Sequence, residues 1–217
     1  RVNRTSNGRG AVSALELSDL AALDFGSWKT RGSFTGRTEE PDWEHRLEDR
    51  EVTSVLTLER LLEFVVDAGR RVELAVETKH PTRWAGQVEE RLLRLLRRFG
   101  LDAPADAAVS PVRVMSFSAR SLHRVRAASP TLPTVHLMQF SSPRLREGRL
   151  PPGVDIAGPS IRIVRSHPAY IERLREAGRP VHVWTVDEPA DVERCIGLGV
   201  EAIITNRPRA VLDQLGR

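Results

Sequence analysis

Short runs of β-branched and other apolar residues recur from about residue 72 onward, and helical patterns separate most of them. A strand followed by a helix, repeated along the chain, indicates βαβ units whose strands lie parallel in one sheet. This pattern fits either an open doubly wound sheet or part of a (β/α)8 barrel. No Gly-x-Gly-x-x-Gly motif follows any of the runs, so a dinucleotide-binding sheet has no positive support. The runs that we interpret as strands are 72–78, 112–116, 134–138, 154–156, 181–186 and 201–204.

Proline and glycine mark the boundaries of the predicted helices. The clearest amphipathic pattern covers 83–99, and Gly100 then stands where a helix C-cap requires a positive φ. Thr57 is a candidate N-cap for a helix over 58–68 that Gly69 would end. Proline suits the first turn of a helix, and glycine suits the position after the last turn. Three further helices are predicted to start at Pro168, Pro189 and Pro208, and Gly178 and Gly199 are predicted to end the first two.

The length and composition are those of one globular domain. The chain has 217 residues, of which 40% are hydrophobic, so we expect a single domain over 1–217. Residues 26–54 differ, because they are rich in Gly, Ser, Thr and charge, and we interpret them as a surface insertion. No apolar run reaches the roughly 18 residues that a membrane span needs. We therefore expect no stable membrane insertion and a cytoplasmic location.

The basic residues and the single cysteine exclude several other classes of protein and site. Only two of the 33 basic residues, Lys29 and Lys79, are lysines. The arginines alternate with acids, as in 89–91 (Glu-Glu-Arg), which indicates solvated helix faces rather than the basic stripe of a nucleic-acid-binding protein. Cys195 is the only cysteine, which rules out an intramolecular disulfide and a cysteine-based zinc site. The oligomeric state cannot be read from the sequence.

The segment Arg71–His80 carries the most informative chemistry. Alternate residues of a strand share a face, so Glu73, Glu77 and Lys79 lie together, opposite an apolar face. In a βα barrel the apolar face packs under helices, which directs the charged face to the interior and to the strand ends where barrel enzymes act. A carboxylate beside an ammonium there suits a divalent cation and a phosphate oxygen. Spacing alone slightly favours the alternative, an exposed edge strand with both charges in water.

Eight short segments resemble, in their order and spacing, the motifs of the glycerophosphodiester phosphodiesterase family. That resemblance implies a TIM (β/α)8 barrel. Two positions depart from the family pattern: Leu56 replaces a proline, and Asn206 replaces an aspartate. Asn206 is either a polar residue of the pocket rim or a cap for the helix at Pro208, and we favour the cap. The segments are Arg4–Gly10, Glu16–Leu20, Leu23–Trp28, Val55–Glu59, Val76–Lys79, Ser116–Phe117 together with Val183–Val186, and Gly199–Pro208.

The resemblance assigns roles to four residues. Glu77 matches a metal-ligating glutamate, and Lys79 matches a lysine that contacts phosphate. Trp184 matches an aromatic residue that lines the pocket against glycerol, with Phe117 as a neighbour that plain core packing explains equally well. The implied cofactor is a divalent cation, Mg²⁺ or Ca²⁺.

Other family motifs are missing from the chain. The family's His-Arg-Gly, Glu-x-Asp and His-Asp motifs supply two metal ligands and the general acid and base, and we expect them upstream of Arg1. The resemblance thus implies an incomplete barrel of about six strands that lacks its catalytic histidines and is inactive by itself. We nominate none of the six histidines present, since lone strand histidines such as His136 and His182 are more often structural.

The implied activity is metal-dependent hydrolysis of a glycerophosphodiester, a small molecule, to glycerol 3-phosphate and an alcohol. Two alternatives stay open. One is a phospholipase-type phosphodiesterase acting on intact lipid, for which Trp28, Phe34 and Trp43 of the insertion are the candidate docking residues. The other is a barrel without catalysis that serves as a binding module.

Overall fold

The structure, a computed structural model, describes residues 2–26, 54–80, 86–140 and 147–216. The chain divides into two compact units, Arg1–Asp67 and Ala68–Arg217. Most of the predicted insertion, with Trp28, Phe34 and Trp43, lies outside the described residues. The single-domain organisation stays a prediction.

The described residues of the first unit form short helical segments. Among them, 3₁₀ turns cover Val2–Arg4 and Val12–Ala14, and the α-helices are α1 (Leu17–Ala21) and α2 (Leu58–Val66). The predicted cap of α2 is confirmed, because the Thr57 hydroxyl accepts a hydrogen bond from the Arg60 backbone N–H at 3.3 Å.

All six described strands lie in the second unit and run parallel in sequence order. Strands β1 to β4 form one sheet, β5 and β6 form another, and parallel bridges at Ala157–Val181 and Ser160–Trp184 join the two. Consecutive parallel strands in this order are those of a (β/α)8 barrel, so the predicted fold class, with six strands, is confirmed. The strands are β1 (Leu74–Glu77), β2 (Val112–Ser116), β3 (Thr134–Met138), β4 (Ile156–Pro159), β5 (His182–Trp184) and β6 (Ala202–Ile204).

Helices follow the strands where the proline and glycine residues predict them, and the structure contains one further helix. Proline occupies the first turn at Pro168, Pro189 and Pro208 as expected. A helix over 161–166, which the sequence analysis does not identify, precedes the one at Pro168. The described helices of the second unit are α3 (Gln87–Arg98), α4 (Ala119–Ala128), α5 (Ile161–Ser166), α6 (Pro168–Glu176), α7 (Pro189–Gly197) and α8 (Pro208–Gln214), and a 3₁₀ turn covers Ala107–Val109.

The prediction for α3 is wrong at one residue. Glu89 was expected on a solvated face, yet it is only 2% exposed. Its carboxylate accepts from the Gly86 backbone N–H at 3.2 Å and from Arg124 of α4 at 3.1 Å. A buried carboxylate is tolerated when it is hydrogen-bonded and paired in this way.

The two faces of the strands pack differently. Met138, Ala157 and Val183 pack against helix residues such as Ile163 and Ile171, so this face is the outer one. Strand residues of the opposite parity form a separate inner cluster. That cluster contains Met115, Val135, Leu137 and Ile156, with Trp184 and Ile204 packed against it.

A charged layer occupies the inner face near the amino ends of the strands. Glu73 pairs with Arg71 at 2.8 Å and with Arg113 of β2 at 2.9 Å. His182 of β5 is buried beside them, and the Arg113 charge acts on it. The expectation that Glu73 faces inward is therefore confirmed, and its charge is paired there.

None of the helices within the described residues combines the length and the hydropathy that crossing a membrane would require.

Candidate active site

Glu77 and Lys79 lie together at the carboxyl end of β1. The Lys79 Nζ is 3.0 Å from Glu77 Oε2. Glu77 is in register with Met115, whose side chain belongs to the inner cluster, so the pair lies on the inner side of the strands. The Lys79 side chain is 82% exposed and that of Glu77 31%, which leaves the ammonium accessible to a ligand.

Thr78 separates the two charged residues and points the other way. Its side chain is buried, and its hydroxyl is 2.8 Å from the Ser121 hydroxyl of α4. The alternation of the segment thus has a physical cause: the threonine is held under the helix layer, and its two neighbours are directed inward.

Phe117 and Trp184 form an aromatic pair at the same end of the sheet. Their ring centroids are 5.3 Å apart, and the ring planes are at 87°, an edge-to-face arrangement. The Trp184 Nε1 donates to the Gly158 carbonyl oxygen at 2.7 Å. Phe117 is 45% exposed, which argues against the alternative that it is plain core.

The four candidate residues therefore collect at the carboxyl ends of three strands. Phe117 lies two residues beyond Met115, directly after the end of β2, and Lys79 lies two residues beyond Glu77, just after the end of β1. Because Glu77 and Met115 are in register, Lys79 and Phe117 stand at the same level. Trp184, the last residue of β5, reaches Phe117 through the ring contact.

The described histidines lie elsewhere. His182 is on the inner face but at the first position of β5, the opposite end from Trp184. His136 pairs in register with Ser116 and Ala157 on the outer face, where burial lowers the pKa of its imidazole. His80 Nε2 is 3.2 Å from Glu89 Oε1 in the outer layer. His123 lies on α4 and His167 precedes α6, so none of these five side chains is placed with Glu77 and Lys79.

One rim residue, Asp187, is missed by sequence reasoning. Its carboxylate accepts from the Asn206 backbone N–H at 2.7 Å, from Asn206 Nδ2 at 2.9 Å and from the Thr205 hydroxyl at 2.9 Å. These bonds, led by that of the Asn206 backbone, lower the pKa of Asp187. They join the loops that follow β5 and β6. A signal was available in the sequence, since an acidic residue three positions after a barrel strand lies in a loop of the functional face.

The interpretation of Asn206 as a helix cap is wrong. The N-cap of α8 is Arg207, and no side chain caps that helix. The Asn206 amide instead binds Asp187, because the two loops are adjacent and the carboxylate offers a stronger acceptor.

The described residues fit a divalent cation only in part. Carboxylate oxygens suit hard cations such as Mg²⁺ and Ca²⁺, and Glu77 offers them at the strand ends. Across residues 2–26, 54–80, 86–140 and 147–216, no three His, Cys, Asp or Glu side chains cluster as a metal site requires. Glu77 thus fits one ligand of a larger set.

Comparison with known proteins places the chain in a family. The model of the glycerophosphoryl diester phosphodiesterase family matches residues 1–210. A probable glycerophosphodiester phosphodiesterase 1 of Mycobacterium tuberculosis is 39% identical over 208 residues, which cover 96% of this chain and 72% of the relative.

Solved structures agree on the fold. A putative glycerophosphodiester phosphodiesterase from Galdieria sulphuraria has a TM-score of 0.74 at 19% identity, covering 97% of this chain and 74% of its own. A phosphodiesterase from Oleispira antarctica, solved in complex with the product sn-glycerol-3-phosphate, has a TM-score of 0.69 at 18% identity, covering 99% and 76%. At these identities the likeness shows the fold alone. The family match over residues 1–210, together with the 39% identical relative, shows that this chain belongs to the glycerophosphoryl diester phosphodiesterase family, a family of hydrolases.

Proposed function

We propose that the protein hydrolyses small glycerophosphodiesters to glycerol 3-phosphate and an alcohol. One observation carries the proposal: the accessible Glu77–Lys79 pair and the Phe117–Trp184 pair lie at the same end of the strands. A ligand that joins a phosphate to a small polyol needs a cation to bind the phosphate and an apolar wall to pack against the polyol. The relatives' names and the product held by the Oleispira antarctica enzyme support the same substrate class.

Lys79 binds the phosphoryl group in this proposal. Its ammonium is a mobile point charge with three donors, and Glu77 holds it at 3.0 Å on the inner side. A phosphodiester gains negative charge on its phosphoryl oxygens as the nucleophile attacks, so a cation at that position stabilises the transition state more than the ground state. The aromatic pair orients the glycerol moiety by packing against its carbon atoms.

Glu77 is proposed as one ligand of a divalent cation, Mg²⁺ or Ca²⁺. When bound, such a cation polarises the phosphoryl oxygens. Glu77 also holds Lys79 in position, so its carboxylate has a function in the described residues with or without the cation. We assign no acid or base role to the described histidines, because none is placed with the Glu77–Lys79 pair.

The decisive experiment measures release of glycerol 3-phosphate from glycerophosphocholine by the protein that the complete gene encodes. We expect Lys79→Gln and Glu77→Gln to lower kcat/KM by about 100-fold or more. Glu90→Gln is the matched control, since Glu90 is an exposed carboxylate paired with Arg94 at 2.6 Å on α3. Equal activity of Glu77→Gln, Lys79→Gln and Glu90→Gln would show that the active site lies elsewhere.

Metal dependence is tested separately. We expect a chelator to abolish turnover and Mg²⁺ or Ca²⁺ to restore it in the unmodified protein but not in Glu77→Ala. Activity that survives both chelation and Glu77→Ala would refute the metal assignment.

The aromatic pair has its own test. Trp184→Ala is expected to raise KM by about tenfold, since truncation removes both the indole wall and its support of Phe117. Unchanged KM would remove Trp184 from the pocket. Phosphatidylcholine vesicles in the same assay test the intact-lipid alternative, and an absence of turnover on either substrate would favour the binding module.

A further inference from the structure

Lys79 is flanked by two residues whose side chains contact polar groups of the outer layer. On one side, the Thr78 hydroxyl is 2.8 Å from the Ser121 hydroxyl and 3.4 Å from the Met115 carbonyl oxygen. On the other side, His80 Nε2 is 3.2 Å from Glu89 Oε1. The Lys79 side chain itself extends into solvent and contacts Glu77.

Both anchors lead to the same carboxylate. Ser121, which bonds Thr78, is fully buried on α4, the helix that also carries Arg124. Glu89 also accepts from Arg124 and from the Gly86 backbone N–H, the latter at the amino end of α3. Thr78, Ser121, Arg124, Glu89 and His80 therefore form a set of polar contacts around Lys79, joined through α4, which we call the Glu89 network.

Glu89 is charged within this network. Burial alone would raise its pKa, but the backbone N–H groups at the start of α3, the nearby Ser121 hydroxyl and the Arg124 guanidinium outweigh burial, and the pKa is lowered overall. A buried carboxylate that accepts from the Gly86 backbone N–H and from Arg124 is costly to displace, because each donor would lose its acceptor.

We propose that Glu89 is a positioning residue for substrate binding, which acts by fixing the backbone of 78–80 so that Lys79 meets the phosphate. This inference rests on the proposed function. A flexible lysine on a mobile loop would lose side-chain and backbone freedom on binding, and that loss weakens affinity. Fixing the residues on either side of Lys79 removes the backbone part of the loss in advance.

A comparable carboxylate supplies a matched control. Asp191 occupies the first turn of α7, is buried, and pairs with Arg165 of α5, as Glu89 in the first turn of α3 pairs with Arg124 of α4. The Asp191–Arg165 pair does not include a neighbour of Lys79. Asp191→Asn thus reports the effect of neutralising a paired, buried acid without touching the Glu89 network.

Calorimetric titration with sn-glycerol 3-phosphate tests the proposal in the protein that the complete gene encodes. We expect Glu89→Gln to weaken binding by about tenfold, as removal of a supporting hydrogen-bond partner does at other sites, and Asp191→Asn to leave it unchanged. Ser121→Ala, which keeps the charged pair and breaks the connection to Thr78, is expected to weaken binding in the same direction. It serves as the second variant if Glu89→Gln does not fold.

A double-mutant cycle separates positioning from general destabilisation. If Glu89 acts through Lys79, Glu89→Gln has no further effect on affinity in a Lys79→Gln background, whereas a purely structural role gives additive losses. Additive losses, or equal affinities of Glu89→Gln and Asp191→Asn, would overturn the role of Glu89 and leave the proposed function intact. Failure of the unmodified protein to bind sn-glycerol 3-phosphate would overturn the proposed function on which the inference rests.

Discussion

Acidification from pH 7 to pH 5 is expected to destabilise the folded protein through His182. The side chain is only 3% exposed at the amino end of β5, on the inner face beside Arg113. Burial, and then the positive charge of Arg113, lower the pKa of the imidazole from 6.5 to about 4, against a smaller opposite effect of Glu73. The folded protein therefore holds His182 neutral, and the unfolded chain takes up a proton below its ordinary pKa.

The direction and the size of the destabilisation follow from the difference in the His182 pKa between the folded and the unfolded states. Where the unfolded state binds more protons, stability rises with pH, so the contribution is complete above pH 6.5 and is lost as the pH falls toward about 4. Each pH unit in that window costs about 1.4 kcal/mol. At pH 5 the expected loss is about 2 kcal/mol, and it approaches about 3 kcal/mol near pH 4.

Urea unfolding at pH 7 and pH 5 measures the effect. The drop in the free energy of unfolding should be about 2 kcal/mol smaller in His182→Gln than in the unmodified protein. His123→Gln, which removes an exposed histidine from α4, is the control. An NMR titration of His182 gives the direct test. Titration near pH 6.5 in the folded protein, or the same drop with and without the imidazole, would refute the reasoning.

Three further substitutions test the packing and the rim. Leu122→Ala, at a fully buried position of α4, should lower the free energy of unfolding by about 2–5 kcal/mol in urea, and a loss below 1 kcal/mol would show a looser core. Gly158→Ala should cost about 1–3 kcal/mol, since a Cβ would lie 2.9 Å from Leu137 Cδ2 and 3.0 Å from the His136 carbonyl oxygen; an unchanged melting temperature would contradict this. Asp187→Ala should lower the melting temperature by a few degrees, because Asn206 and Thr205 lose their acceptor. Equal melting temperatures would show that water replaces that acceptor.

The positions of the strands were predictable because each one carries an apolar pattern of its own. Two of the six, 112–116 and 134–138, have the bounds that the structure gives. The fourth was placed at 154–156, but the strand covers Ile156–Pro159. Gly158 and Pro159 disfavour strands locally, yet a Gly158 side chain would meet Leu137, so tertiary packing selects these residues.

The helix over 161–166 shows the opposite conflict. Ile161, Ile163 and Val164 are β-branched and favour a strand. All three are buried in the outer cluster, and their burial against α6 and the strands outweighs the local preference. A pattern of six residues is too short to distinguish the helical period of about 3.6 residues from the strand period of about 2.

Within the candidate site, residues on strands were predictable and their supports were not. Alternation along 71–80 places Glu77 and Lys79 on one face without any knowledge of the rest of the chain. Glu89 and Asp187, in contrast, are defined by partners 35 and 18 positions away, Arg124 and Thr205. Such pairings depend on which helices and loops become neighbours, and a single sequence does not contain that information.

In the proposed site, the bond between the Trp184 indole and the Gly158 carbonyl limits what the tryptophan can recognise. An indole has one N–H group and no acceptor, and that N–H already has its partner inside the protein. The ring therefore contacts a bound molecule only through its rigid apolar face. Such a contact depends on the shape and thickness of the molecule and not on the number of its hydroxyl groups. Discrimination between polyols of similar width must then come from groups that still have a donor or acceptor to offer, and substitutions at Trp184 should alter the size of the accepted molecule more than its polarity.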